Sequence, residues 1–305
     1  RTGNVPNRLN MVTALRRWWP YYLMMAPGLL FFVVWHYFPI WEAKMAFEQV
    51  RIIPPNIWVG LKHFQTLFAS PVFYQVLANT LIISTMKIAF VFPIPILVAL
   101  LLNEIRGGRF RKFVQSAIYL PHFLSWIIIS GLALRLLALN EGLINILLQR
   151  FGFQPIPFLN KPGYWIASYV TLGIWKEAGW NTIIYLAAIA GIDQELYEAA
   201  TVDGVNRWGK IIHITIPSIQ GTIVIMLILR TGSILSIGFE KAYALQNDLN
   251  LEVSEIISTY VYKVGILQRD QSFSTAIGLF NSAVNAVLLL SVNYITGKLS
   301  EHSLF

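Results

Sequence analysis

Five ionisable side chains, Lys87, Arg135, Lys176, Glu177 and Arg230, stand inside stretches that are otherwise apolar. A charge at the centre of a hydrocarbon span costs at least ~2.5–3.5 kcal/mol, so such groups face a cavity, a partner or one another. Four of the five are cationic, and cations along a path through a membrane would counter an anionic solute. Trp165, Trp175 and Trp180 share the stretch that holds Lys176 and Glu177, and the apolar C–H faces of sugar rings stack on such indoles. The candidate path is therefore Lys87, Arg135, Lys176, Arg230, Trp175 and Trp180. A structural reading competes with it. Lys87 and Arg135 lie close enough to the ends of their stretches to snorkel, Glu177 can offset Lys176, and Trp165 suits an interfacial anchor.

Other chemistry is sparse. The run Gly204-Val205-Asn206-Arg207-Trp208-Gly209-Lys210 fits the G-x-x-x-x-G-K part of a phosphate-binding loop. Ile211, however, stands where a Ser or Thr would meet Mg²⁺, and no strand precedes the run. The absence of cysteine excludes disulfides, thiol catalysis and Cys-based metal sites. The histidines (His36, His63, His122, His213 and His302) are dispersed, and no metalloprotease, nucleophile-elbow or dinucleotide pattern occurs. No catalytic residue and no metal ligand is assigned.

The elements that must hold these residues are membrane spans. The chain of 305 residues is 56% hydrophobic and 12% charged, with mean hydropathy +0.58, whereas soluble domains average roughly 45–50% apolar and about 25% charged. Half the usual charge cannot cover a soluble surface, so lipid is the solvent for much of it. A net charge of +8 and a pI ≈ 9.6 raise nucleic acid as a partner. The Lys and Arg residues instead cluster in short connections between apolar runs, where the positive-inside rule puts them, so no nucleic acid is expected.

Six spans are predicted: Trp18 to Trp41, Val76 to Asn103, Ser116 to Leu139, Tyr164 to Ile192, Ile216 to Gly238 and Phe273 to Gly297. Arg8, Arg16 and Arg17 precede the first without an acid, as in a signal peptide. The run is too long for one and lacks a small-residue cleavage pattern, so a retained span is expected. The chain opens at Arg1 with no Met, so some preceding residues are expected to be missing. Six spans put both termini on one side, with the cytoplasmic segments being the N-terminus, Glu104 to Gln115, Asp193 to Thr215 and the C-terminal tail. These carry about eleven Lys and Arg in roughly sixty residues, against about eight in nearly a hundred of the opposite loops. The outer loops Glu42 to Gln75, Asn140 to Gly163 and Phe239 to Ser272 have room for short helices. Pro27, Pro39, Pro93, Pro95, Pro121 and Pro217 fall in or beside spans, which membranes tolerate where neighbours satisfy the freed carbonyls.

The most informative segment runs from Tyr197 to Pro217, YEAATVDGVNRWGKIIHITIP. A short helix ending at Gly204 is predicted from the glycine C-cap preference, with Arg207 and Lys210 on a following turn. Ala199 and Ala200 would present a flat surface to another protein, flanked by Glu198 and Asp203, whose charges can pair with arginines. The plain alternative is a helix, a cap and a helix between two spans.

This segment resembles the cytoplasmic EAA loop of the binding-protein-dependent ABC importer permeases. The motif positions are Glu198, Ala199, Ala200, Asp203, Gly204, Ile211, Ile214 and Pro217. Val205 replaces the usual alanine, Ile211 the usual phenylalanine and Gly221 a second proline. Leu120-Pro121-His122-Phe123-Leu124-Ser125-Trp126, Gly238-Phe239-Glu240, Ser258-Thr259-Tyr260-Val261-Tyr262 and the run Phe273 to Phe280 are similar to the branch that imports complex oligosaccharides.

The resemblance implies an all-α membrane protein of about six transmembrane helices with the type I importer permease fold. It has a cytoplasmic segment at 1–17, a permease domain at 18–298 with the coupling loop at 193–217, and a cytoplasmic tail at 299–305. Glu198, Ala199, Ala200, Asp203, Gly204, Arg207 and Pro217 would couple to an ATPase. The implied partners are a second, related permease, two ATPase subunits, an extracytoplasmic solute-binding protein, an oligosaccharide and membrane lipid, at the bacterial inner membrane. The chain itself would bind no cofactor, with ATP and Mg²⁺ used by the ATPases. The intramembrane cations favour acidic oligosaccharides such as alginate or pectin fragments. A neutral-sugar importer, an ion-coupled transporter or channel, and a membrane enzyme are the alternatives.

Overall fold

The structure, a computed structural model, describes residues 11–51, 53–105 and 107–299. Arg1, Arg8, Arg106 and His302, most of the expected N-terminal segment and the end of the expected tail lie outside the described residues. The first helix, α1 (Met11–Phe32), continues through a π-turn (Val33–Tyr37) into a 3₁₀ segment (Phe38–Phe47). A two-stranded pair, β1 (Glu48–Gln49) and β2 (Ile57–Trp58), leads to α2 (Lys62–Ala69). Next come α3 (Pro71–Met86), a π-turn (Lys87–Val91) and α4 (Pro93–Glu104), stacked into one 34-residue span, Pro71–Glu104. The chain continues as α5 (Gly108–Tyr119), α6 (Trp126–Leu136), α7 (Leu143–Arg150) and the 29-residue α8 (Pro162–Ala190). Beyond α8 lie α9 (Gln194–Val202), α10 (Arg207–Lys210), α11 (Ile216–Ser218) and α12 (Gln220–Thr231). Three short helices, α13 (Phe239–Leu245), α14 (Leu251–Ser254) and α15 (Ile257–Tyr262), precede the last span, α16 (Gln271–Leu299).

Among the described residues, three helices are long and apolar enough to cross a membrane: Arg16–Phe47, Pro71–Glu104 and Gln271–Lys298. These correspond to the first, second and sixth predicted spans. The third and fifth differ from the expectation of continuous helices. Gly108–Phe123 meets Trp126–Leu136 at 97°, and Arg207–Ser218 meets Gln220–Thr231 at 58°. Counting each bent pair as one span gives five. The fourth predicted span is the unbroken α8, whose hydropathy is lowered by Lys176, Glu177 and Asn181. It tolerates these residues because it is the hub of the bundle, packed by α3, α4, α5, α12 and α14. A helix packed by protein on several sides can carry polar residues on the sides it buries.

Proline explains where the helices loosen. Phe38, Phe92 and Ile216 each donate to a carbonyl five residues back, on Val33, Lys87 and Ile211, and each is followed by a proline, Pro39, Pro93 or Pro217. A proline has no N–H and its ring displaces the carbonyl four residues before it, so the turn ahead of it widens. In the third span the chain breaks outright at the 3₁₀ turn Leu120–Phe123 around Pro121, and Ser125 restarts the helix as N-cap, its hydroxyl accepting from the Ile128 N–H at 3.3 Å.

Small residues set the approach of α8 to its neighbours. Gly179 lies so close to α5 that a β-carbon there would run into the Ile118 carbonyl. Gly131 of α6 faces open space. Gly179→Val is expected to destabilise the bundle by about 1–3 kcal/mol through overpacking, with Gly131→Val as the neutral control. Thermal unfolding of the purified assembly checks this, and equal melting of the two variants would contradict the close contact.

Candidate functional site

Two features collect the residues singled out from the sequence: a capped helical loop at one end of the bundle and a group of charges around the middle of α8. The loop begins at Asp193, whose carboxylate accepts from the Glu195 N–H at 3.0 Å and caps α9. It turns at Gly204, where φ is +73°. The Val205 N–H reaches the Ala200 carbonyl at 2.9 Å and the Gly204 N–H reaches that of Thr201 at 3.2 Å. Those paired bonds are the glycine-terminated helix stop, and a left-handed residue there favours glycine. Asn206 then caps α10 by accepting from the Gly209 N–H at 2.8 Å. Arg207 and Lys210 occupy that turn, as expected, and Pro217 follows the π-turn that joins α10 to α11.

The loop is stapled to itself and to the bundle. Tyr197 and Thr215 share a hydrogen bond of 2.8 Å between hydroxyls, and Lys210 Nζ donates to Thr201 at 2.6 Å. Ile211 and Ile214 pack inward with Tyr197 against a core of Leu100, Tyr185, Ile189 and Ile219. The flat two-alanine surface is corrected. Ala199 is exposed but Ala200 is buried, because successive residues on a helix point about 100° apart. The outward surface is made instead by Glu198, Ala199, Asp203 and Arg207 together with Val202 at 88% and Trp208 at 70% exposure. Exposed apolar side chains beside charges mark a surface awaiting a partner. Sequence reading missed Val202 and Trp208, and the signal was available in two apolar residues flanking a turn.

Around α8 the charges divide by what they touch. Lys176 is buried, and its Nζ donates to the carbonyls of His122 at 2.7 Å and of Leu124, the two sides of the break in the third span. It also lies 5.3 Å from the centre of the Trp126 ring. Arg230 pairs with Glu177 at 3.5 Å and shares the wall of a small cavity of about 50 Å³ with Lys87, Ser84 and Ser233. Lys87 and Arg230 are therefore brought together. Arg135 sits exposed in the last turn of α6 and does not line that cavity. Trp175 lines a separate apolar cavity between α6 and α8. Trp180 stacks on His122, with ring centres 4.3 Å apart and planes within 3°.

One cation was passed over. Lys241, counted as a loop residue in the sequence, is buried on α13 with its ammonium 3.7 Å from the Tyr169 ring centre and 4.5 Å from that of Trp126, and it donates to the Tyr169 carbonyl. Gly173 makes the space, since a β-carbon there would stand 3.1 Å from Lys241 Nζ. Trp126 thus has two lysines about its ring. Ala242 and Leu245 beside Lys241 are buried apolar positions, the one sequence hint that this loop is packed. Phe239 and Tyr243 of α13 form an aromatic group with Tyr262 of α15. Phe239 and Tyr262 border an open cavity with Ser258, Gln271 and Thr275, a mixture of rings, hydroxyls and amide that suits a sugar.

A bundle of kinked and broken spans with a capped, partner-seeking loop at one end defines the membrane subunit of a transporter. The chain belongs to the family of binding-protein-dependent transport system inner membrane components, whose model matches residues 91–301. It is 46% identical over 93% of its length to the polygalacturonan/rhamnogalacturonan transport system permease protein YteP of Bacillus subtilis (strain 168), covering 89% of that protein. It is 41% identical to protein LplB of the same organism, with 97% and 94% coverage. A chain in the crystal structure of a bacterial ABC transporter involved in the import of the acidic polysaccharide alginate superposes with a TM-score of 0.88 at 38% identity, over 95% of this chain and 99% of that one. A second structure of a bacterial alginate ABC transporter, in complex with an alginate pentasaccharide-bound periplasmic protein, matches at a TM-score of 0.89 and 37% identity, over 96% and 99%. The protein is a permease subunit of an ABC importer, an inner membrane component with the type I fold, and ATP hydrolysis belongs to a separate ATPase. Membership sets aside the ion-coupled transporter and the membrane enzyme.

The contacts separate structural from accessible cations. Lys176→Met leaves two carbonyls without a donor at about 1–3 kcal/mol each, so the assembly is expected to melt earlier. Arg230→Gln, at a partly exposed pair, is expected to leave the melting temperature nearly unchanged and to alter transport instead. Thermal unfolding and uptake measured on the same two preparations check this, and the reverse pattern would refute the division.

Proposed function

We propose that this chain is one of two unlike permease subunits of an ATP-driven importer of acidic oligosaccharides, of the kind released from pectin or alginate. The observation that carries the reading is the excess of cations around α8. Lys87, Lys176, Lys241 and Arg230 are gathered there, with Glu177 and Glu240 as the acids within electrostatic reach of them. A surplus of positive charge in a low-dielectric setting favours an anionic solute and disfavours a cationic one. The relatives named for polygalacturonan/rhamnogalacturonan and for alginate support the same chemistry. Lys87 and Arg230, side by side on a cavity wall, are the path residues, and the Phe239 and Tyr262 rings offer sugar faces a place to stack.

The partners are a second permease, two ATPase subunits carrying ATP and Mg²⁺, and an extracytoplasmic solute-binding protein. Residues 1–17, the coupling loop 193–217 and the tail 299–305 face the cytoplasm, with the permease domain at 18–298 between the two end segments. Glu198, Ala199, Asp203, Arg207 and the exposed Val202 and Trp208 meet the ATPase. Ala200, Gly204 and Pro217 give the loop its shape. Because α9 and α10 are bonded to each other and seated on α4 and α8, a push on the loop is delivered to the spans.

The complete complex in proteoliposomes, supplied with its binding protein, is expected to hydrolyse ATP faster with uronic-acid oligosaccharides than with neutral ones of equal length. Equal stimulation by both would refute the acidic preference and leave the importer assignment standing. Glu198→Lys or Gly204→Asp is expected to lower that stimulation by about tenfold, the effect of losing roughly 1.4 kcal/mol at an interface, with the assembly still intact by size-exclusion chromatography. Full stimulation in an intact variant would remove the coupling role.

A further inference from the structure

We propose that Glu177 is the resident counter-ion of the path cations, a carboxylate that occupies Arg230 while the path is empty and yields it to the carboxylate of a passing uronic-acid residue. The inference rests on the acidic-solute reading above and adds a specificity-determining residue to it. Glu177 of α8 and Arg230 of α12 meet at 3.5 Å, and both side chains are partly exposed. A charge-assisted hydrogen bond between them would be about 2.7–2.9 Å long, so the pair attracts without being locked by one. Glu177 is also the acid that four cations hold in common. Lys87, Lys176 and Lys241 lie within its electrostatic reach and Arg230 pairs with it, whereas Glu240 reaches Lys176. Four cations against these two acids leave two positive charges over, so a carboxylate can enter before Glu177 leaves. Once displaced, Glu177 remains within reach of Lys176 and Lys241 and is not stranded without a counter-charge.

The cavity of about 50 Å³ that Arg230 lines with Lys87 receives the incoming group. Among the described residues no acid lines it. One water needs about 10–15 Å³, so the cavity takes a group the size of a few waters. A carboxylate is on that scale, and a sugar ring is several times too large, so the acid group enters and the ring stays outside. The exposed Ser233 and Ser236 leave the mouth open. The hydroxyls of Ser84 and Ser233 are spent on the carbonyls of Ile234, Leu229 and Arg230. Ser236 instead accepts from the Asn285 amide at 3.0 Å, which leaves its O–H for an incoming acceptor. A carboxylate, which only accepts, suits a wall of ammonium, guanidinium and hydroxyl. The exchange also limits how tightly the site holds. Passage requires binding favourable enough to enter and weak enough to leave. With Glu177 as rival, a cargo carboxylate gains only the difference between two like pairs at Arg230. A neutral sugar has no charge with which to displace Glu177, and the pair stays closed to it.

The test dialyses the complete importer, with its binding protein left out, against radiolabelled trigalacturonate and against the methyl ester of that sugar, which has the same rings and no charge. The wild type is expected to retain the acid in preference to the ester. Glu177→Gln is expected to tighten binding of the acid by about fivefold, the worth of a partly exposed ion pair that no longer has to be broken, and to leave the ester unchanged. In Arg230→Gln the acid is expected to bind more weakly, and adding Glu177→Gln to that variant is expected to change nothing further. Unchanged or weaker binding of the acid in Glu177→Gln would overturn the counter-ion role while the preference of the wild type for the acid still stood. Equal tightening with and without Arg230 would make Glu177 a diffuse negative charge and overturn the exchange. Equal retention of acid and ester by the wild type would overturn the acidic-solute reading and this inference with it. Should Glu177→Gln fail to assemble, Glu177→Asp keeps the charge one methylene short of Arg230. It is expected to tighten the acid by about twofold, and unchanged binding there would overturn the proposal.

Discussion

A break in a membrane span releases backbone carbonyls where no water can take them up, and the middle of this structure is arranged around one such break. The third span turns through 97° between Phe123 and Trp126. Lys176 answers it by donating to the carbonyls on both sides of the turn. A cation inside a bilayer usually suggests a ligand. Here the first thing it binds is the backbone of its own chain, so an apparent functional charge and a folding requirement have one solution. The Trp126 ring restarts the span beside that ammonium and receives a second one from Lys241 on α13. Three segments far apart in sequence, the broken third span, α8 and α13, therefore meet at one indole.

The same constraint accounts for the composition of α8. Its buried residues include Gly173, Lys176, Gly179 and Thr182, each three residues from the next. Gly179 admits the α5 backbone, Gly173 admits the Lys241 ammonium, and Thr182 donates to the carbonyl of Pro95 in α4. Each contact fits α8 to a neighbouring segment, and among them Lys176 bonds the carbonyls of a broken span. The hub can be polar because its neighbours are broken, and they can be broken because the hub is polar. The buried polar side chains of α8 thus take neighbouring backbone as their partners.

The shape of the loop after α8 was legible in the sequence as a helix stopped at Gly204 with Arg207 and Lys210 on the next turn, because that shape depends on local rules, and the caps Asp193 and Asn206 obey the same rules. The long spans were legible for the same reason, since hydropathy is a property of a window. What escaped was set by contacts between distant residues. The carbonyls that engage Lys176 lie 52 and 54 residues away, so it appeared as a candidate for substrate when its nearest partners are structural. Lys241 escaped because it lies in the connection Phe239 to Ser272, outside the predicted spans, although Asn250 and Trp165 bind the Leu245 carbonyl and draw α13 into the core. Ala200 was misjudged by treating a pair of small residues as one face when the helix separates them.

The distribution of regular and irregular structure bears on how work is transmitted in the proposed importer. The loop that would meet the ATPase is closed by two caps, a paired glycine stop and two side-chain bonds, so a displacement at Trp208 or Glu198 is not absorbed within it. The π-turn Ile211–Thr215 forms the last part of that loop, and the 58° bend at Ile219 comes directly after it. A widened turn ahead of a proline carries fewer regular hydrogen bonds than the helices on either side and is the softer place to change angle. The second span has such a turn at Lys87–Val91, at the residue that shares a cavity with Arg230. Stiff segments joined at widened turns would convert a push on the loop into a change of angle beside Lys87 and Arg230, where the solute is proposed to pass. Compliance placed there would alter the access of two cations to the proposed path without unfolding any helix, and the contacts Lys176 makes with the third span would keep the hub in register.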